Sequence, residues 1–220
     1  MGGSAPVHRS GPGMIKLVEE TPNGRLTIYN RCRPGALDGL VMDEGLGKFS
    51  HYSSIIQRIE ALDRVTSHKD GRVTLALWDE TRVVGYAACW YPGPEERWRA
   101  LGDLMYEMGA IETSRTKRGM GIAGKVFAAL LDDDFFEDKI CYLCGYSWTW
   151  DLDGSRMTIP QYRRALIALY RTQGFKECYT NEPNIALREE NFFMVRIGSR
   201  VSEEDVKRFK NLRFGIKERN

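Results

Sequence analysis

Apolar residues alternate with polar ones, or run together briefly, over 24–30 (GRLTIYN), 73–79 (VTLALWD), 82–91 (RVVGYAACWY), 106–114 (YEMGAIETS), 139–148 (KICYLCGYSW) and 191–198 (NFFMVRIG). This pattern predicts six β-strands. Only a few residues separate the second from the third, so that pair forms an antiparallel hairpin. Over 51–66, 121–136 and 158–173 apolar residues return at intervals of three and four, the spacing of one helix face. A charged stretch from Ser202, with Asp205 three residues on, reads as a capped closing helix. The order of elements predicts an α/β sandwich around a mixed sheet. No internal repeat or linker divides it, so 14–200 reads as one domain, 1–13 as a Gly/Ser/Pro-rich disordered tail and 201–220 as an added C-terminal helix.

The strand at 106–114 passes through a basic loop straight into the helix at 121. Amides at a helix N-terminus have no partners within the helix and carry the positive end of its dipole, which makes such a junction a ready anion site. Gly119 and Gly121 allow close backbone approach and positive φ, and Arg115, Lys117 and Arg118 add charge at the rim. The pattern is R-x-x-G-x-A from Arg118 to Ala123. It matches neither the P-loop nor the dinucleotide fingerprint.

Composition narrows the remaining classes. A net charge of +2, with basic and acidic residues interleaved, argues against nucleic-acid binding. No apolar run approaches a membrane span or a signal-peptide core, so a cytoplasmic protein without membrane contact is expected. Five cysteines, an odd number, read as free thiols. Cys141 and Cys144 form a C-x-x-C, but on a strand they point to opposite faces and lack a second ligand pair, so no metal site is expected.

The R-x-x-G-x-A loop, with LYRTQGF at 169–175 about fifty residues on, resembles the Gcn5-related N-acetyltransferase (GNAT) superfamily. The likeness covers roughly 24–198 and implies a mixed, mostly antiparallel sheet flanked by helices, with acetyl-CoA as cosubstrate. By that resemblance the cradle comprises Arg118, Gly119, Met120, Gly121, Ile122, Ala123 and Gly124, which take the pyrophosphate. Ile111, Thr113 and Ser114 of the preceding strand pair with the pantetheine arm. Further segments, GAIETS, SWTWDLDG, YTNEP, FFMVRIG and YPGPEERW, are similar to one bacterial branch of the superfamily, the acetoin utilization acetyltransferases. That likeness implies a protein acceptor, the active-site lysine of acetyl-CoA synthetase, which acetylation switches off. Acetylation of a small amine, or a catalytically idle acetyl-CoA-binding regulator, are the alternatives; the oligomeric state is open.

Acetyl transfer to lysine needs a neutral amine, and with a pKa near 10.4 only about one lysine in a thousand is neutral at pH 7.4, a cost of roughly 4 kcal/mol. A general base is therefore expected, and carboxylates on the strand beside the thioester are its candidates. Glu107 matches the superfamily's early-strand position, whereas the closer resemblance implies Glu112; Glu112 is the first expectation and Glu107 the reserve. An amide near Ile111 could hold the oxyanion. Tyr170 stands where the superfamily often places the tyrosine that protonates the departing thiolate. Trp148 and Trp150 fall on one side if their strand persists. They would then wall the acceptor pocket, with Asp151 or Asp153 attracting the cationic lysine, or else form a buried aromatic layer capped by a turn at Asp153–Gly154.

Overall fold

The computed structural model describes residues 11–47, 56 and 58–216. In chain order its strands are β1 (Met14–Thr21), β2 (Gly24–Asn30), β3 (Val41–Met42), β4 (Arg72–Trp78), β5 (Arg82–Trp90), β6 (Met105–Thr113), β7 (Ile140–Gly145), β8 (Lys176–Glu177) and β9 (Phe192–Ile197). The helices are α1 (Ile59–Ser67), α2 (Ile122–Leu131), α3 (Leu152–Ser155), α4 (Ile159–Arg171), α5 (Pro183–Ala186) and α6 (Glu203–Leu212). Together the strands form one sheet in the order β1-β2-β4-β5-β6-β7-β9-β8, with β3 set beside the start of β5. Pairing is antiparallel except at β6–β7 and β3–β5, which matches the mixed, mostly antiparallel expectation.

All six expected strands are present. The helix expected over 51–66 is seen as α1, while 51–55 and 57 lie outside the described residues. That expected over 121–136 stops at Leu131, followed by a short 3-10 turn, Asp134–Asp138. Of the expected tail, 1–10 lies outside the described residues, whereas Pro12 accepts a hydrogen bond from the Arg33 amide at 2.9 Å. β1 was not among the expected strands.

Two apolar layers sandwich the sheet. Val126, Phe127 and Leu130 of α2 pack with Leu26, Ile28 and Ala76 on one face, where α4 adds Ile167. Each such fully buried side chain contributes about 1.5–3 kcal/mol, which fixes α2 against the strands. On the other face Leu62 of α1 meets Leu75, Leu77 and Tyr86. Farther along that face Trp98 stacks on Phe193, with Tyr142 and Phe209 around them, and Phe209 anchors α6. Ser202 Oγ accepts from the Asp205 amide at 3.1 Å, the cap read from the sequence.

Candidate active site

β6 and β7 pair over only three positions, Met105–Ile140, Tyr106–Cys141 and Glu107–Tyr142. Beyond them β7 stays paired with β9 and β6 with β5, so the two parallel strands splay apart. A cavity of about 620 Å³ fills the opening. Its walls are β6 from Glu107 to Thr113, the end of β7, the loop before α2, and Tyr162, Leu166, Leu169 and Tyr170 of α4.

β6 is irregular. Ala110 pairs with Ala88 and Glu107 with Trp90, so Met108 and Gly109 together stand opposite Cys89 alone. This is a β-bulge, and it reverses the alternation of side chains. Without it Glu107 and Glu112, five residues apart, would face opposite sides of the sheet. With it both face the side of α1: Glu107 beside its cross-strand partner Trp90, Glu112 beside Tyr86. Gly109 permits this, since a Cβ there would lie 2.0 Å from the Trp90 ring.

The two carboxylates differ in environment. Glu112 is buried and accepts hydrogen bonds from Tyr86 Oη at 2.6 Å and the Gly47 amide at 2.5 Å. Neither bond involves an arginine of the loop. Glu107 is pushed up to about 7, first by burial and then by the charge of Glu96, against a hydrogen bond with Trp90. Glu96 is itself fixed by Tyr142 Oη at 2.9 Å and the Gly93 amide at 2.7 Å.

The Ser114 amide donates to Val84 O at 2.8 Å. By antiparallel alternation Glu112 also bonds toward β5, and the amides of Ile111 and Thr113 point into the splay. Thr113 Oγ1 is buried there with no hydrogen-bond partner among the described residues. Ser114 lies elsewhere than expected: fully buried, its hydroxyl donates to Asp43 and accepts from the Thr116 amide at 3.1 Å, capping the turn Arg115–Lys117. It shapes the loop and does not line the cavity.

Gly119 and Gly121 have φ of +82° and +70°, and a Cβ at either would project into open space. Gly121 also precedes the first turn of α2 and supplies no side-chain cap, so the amides of Ile122 and Ala123 face the cavity. These features suit a pyrophosphate. The Ile122 side chain is buried on Gly85, so only its backbone serves the site. Two expected cradle residues are not part of the wall: Met120 packs on the α2 core, and Gly124 turns toward Leu169 of α4.

Strand β7 ends at Gly145, and the turn Ser147–Thr149 follows, so Trp148 and Trp150 do not share a side. Trp150 is buried, stacks on Tyr162 at 5.5 Å and lines the cavity. Trp148 stacks on Tyr146 at 4.9 Å beneath the Arg188 guanidinium and is not part of the wall. Asp151 is not offered to a lysine: it is 2% exposed, and Arg115 and Arg118 both bind its carboxylate. Tyr170 does line the cavity, edge-on to Phe127 at 5.5 Å, and burial pushes its phenol pKa up, which keeps it protonated. Sequence reasoning missed Tyr86 and Trp90, which cross-strand register sets beside the two glutamates, and the loop residues Glu96 and Tyr146, which the fold brings to Glu107 and to the cavity. No His/Cys/Asp/Glu cluster among the described residues could hold a metal ion, and no described helix is long and apolar enough to cross a membrane.

No family model matches the chain. It is 32% identical over 197 residues to the acetoin utilization protein AcuA of Bacillus subtilis, covering 89% of this chain and 91% of that protein. Against the acetoin utilization protein AcuA of Bacillus licheniformis it is 30% identical over 186 residues, 81% of this chain and 88% of that protein. The crystal structure of the acetoin utilization protein from Exiguobacterium sibiricum superposes with a TM-score of 0.81 at 28% identity, over 90% of this chain and 92% of that one. The chain therefore belongs to the family of the acetoin utilization protein AcuA.

Proposed function

We propose that the protein transfers the acetyl group of acetyl-CoA to the Nε of a lysine on a protein acceptor, and that this acceptor is acetyl-CoA synthetase, inactivated by the modification. The observation that carries the reading is the splay of β6 from β7: a phosphate cradle and open strand amides at one side of the gap, two carboxylates at the other. Acetyl-CoA lies with its pyrophosphate on the amides of Gly121 to Ala123 and its pantetheine arm along Ile111 and Thr113. The acceptor lysine enters from the face of Glu107 and Glu112.

In this reading Glu107, poised near 7, takes the proton of the lysine, and Glu112, fixed by Tyr86 and Gly47 roughly 13 Å along the same face, attracts the cationic side chain as it approaches. This reverses the order of the two glutamates expected from the resemblance, because burial poises the first near working pH. The neutral amine attacks the thioester carbonyl, and the Ile111 amide stabilises the oxyanion. Collapse expels the CoA thiolate, which takes a proton from Tyr170, while the amide nitrogen releases its second proton to solvent, from which the phenol is restored. The test is incubation of the purified chain with labelled acetyl-CoA, acetyl-CoA synthetase and a panel of small amines. Label on a synthetase lysine is expected; label on small amines alone would overturn the assignment.

A further inference from the structure

We infer that Asp151 is the positioning residue of the cradle loop, bracing the loop through Arg115 and holding the guanidinium of Arg118 where it meets the phosphates of the acetyl carrier. Arg115 grips the carboxylate with both arms of its fork, Nε to Oδ2 at 2.8 Å and Nη2 to Oδ1 at 2.5 Å. Arg118 donates to Oδ2 through Nη2 alone. The Gly154 amide donates to Oδ1 at 3.0 Å and fixes the carboxylate at the start of α3. The Asp151 side chain is 3% exposed, whereas those of the arginines are 35% and 32% exposed, so a rigid anchor holds two half-open cations.

Two guanidinium groups three residues apart on one loop repel each other and, unanchored, would spread into water. A carboxylate shared between them removes that repulsion and orders both long side chains before the ligand arrives, which lowers the entropy lost on binding. Burial alone would raise the Asp151 pKa; the hydrogen bonds from Arg115, Gly154 and Arg118 outweigh it and keep the group ionised. Arg115 and Arg118 share this one carboxylate, so Asp151 offsets at most one of their two charges, while Asp153 and Glu112 act on Arg115 from farther off. Arg118 reaches the cavity wall beside Gly119 and Gly121. Trp150, one residue before Asp151, lines the same cavity, so one side chain ties the wall to the cradle.

This inference rests on the acetyl-CoA reading of the cavity. It is tested with acetyl-CoA and S-acetylpantetheine, which lacks the nucleotide phosphates, as alternative substrates. Asp151→Asn keeps an oxygen for the Gly154 amide but loses the charge. It is expected to raise KM for acetyl-CoA about tenfold, the size of one charge-assisted hydrogen bond, while kcat/KM for S-acetylpantetheine stays unchanged. Arg115→Gln, at a half-exposed position, should reproduce part of the loss with the same selectivity. Asp151→Asn should add nothing once Arg115 and Arg118 are both Gln. Equal losses on both substrates, or a further loss in the double-arginine variant, would overturn the inference in favour of a role in folding alone. Wild type that uses acetyl-CoA no better than S-acetylpantetheine would overturn the acetyl-CoA reading itself; wild type that does, matched by Asp151→Asn, overturns only the role of Asp151.

Discussion

Glu107 and Glu112 share one face of β6 because Met108 and Gly109 together occupy the space opposite Cys89. Their common facing is thus a product of the bulge, and their different surroundings follow from their neighbours. With Glu107 at about 7, kcat/KM should climb as pH rises through 7, because the carboxyl must lose its proton before it can accept one from lysine. Glu107→Gln should lower kcat by about 10²-fold or more and abolish that limb. Glu112→Gln should lower kcat/KM about tenfold or more and leave the limb in place. A pH–rate series on the two variants checks both; a limb that disappears with Glu112→Gln instead reverses the roles.

The same shift has a consequence for stability. Glu107 binds its proton more tightly folded than unfolded, so its stabilising contribution is fully present below about 4.5 and lost as pH rises through about 7. At pH 8 the ionised group costs on the order of 3 kcal/mol relative to its protonated form. Glu107→Gln should therefore raise Tm more at pH 8 than at pH 5. Thermal melts at the two pH values decide it, and an equal shift at both would show that the carboxyl is not held near 7.

Gly109 faces a packing constraint that has nothing to do with a ligand. A methyl group at Gly109 meets the Trp90 ring at 2.0 Å, and neither the ring nor the strand can retreat without disturbing the bulge. Gly109→Ala should cost about 1–3 kcal/mol, the usual range for overpacking. It should also lower kcat, since the bulge sets the direction of both glutamates. Denaturant unfolding, read beside turnover of the surviving folded fraction, separates the two effects.

Much of this arrangement was legible in the residues. Gly119, Gly121 and the helix that follows mark the cradle, and the six strands stand out through their apolar alternation. The facing of Glu107 and Glu112 was not, because a period of two carries no sign of an inserted residue; the lone Gly109 inside YEMGAIET was the one signal. β1 carries no legible pattern because it is an edge strand whose Met14, Ile15, Leu17 and Val18 are 37–54% exposed, so no buried face imposes one. Ion pairs from Lys16 to Asp132 and from Lys125 to Glu19 help hold it to α2, and pairings at such separation are invisible in a linear reading. Asp151 would attract the acceptor lysine only if β7 persisted past Gly145. The strand's end, set by the turn at Ser147, carries it to the arginines instead.

Gly121→Ala isolates the cradle. A non-glycine residue at φ +70° costs about 1–2 kcal/mol, and the added methyl projects into the space in front of the α2 amides. KM for acetyl-CoA should rise about tenfold or more, since backbone N–H groups there can no longer approach a phosphate closely. kcat should change less, because the carboxylates on β6 are untouched. Steady-state kinetics with saturating acceptor provide the measurement, and an unchanged KM would remove the cradle from the binding site.

Tyr170 offers the cleanest separation of packing from chemistry. Its ring packs edge-on to Phe127 and lies 6.2 Å from that of Phe192, contacts that Tyr170→Phe keeps intact. A phenol already carries its proton at neutral pH, and burial raises the pKa further, so the proton can pass only as charge develops on the departing sulfur. If it supplies that proton, Tyr170→Phe should lower kcat by about 10²-fold, with KM for acetyl-CoA and Tm nearly unchanged. A thioester whose leaving thiol has a lower pKa needs less protonation, so the deficit should shrink with such a substrate. A deficit that stays constant across leaving groups would mean that the hydroxyl only shapes the cavity, and that the thiolate takes its proton from water.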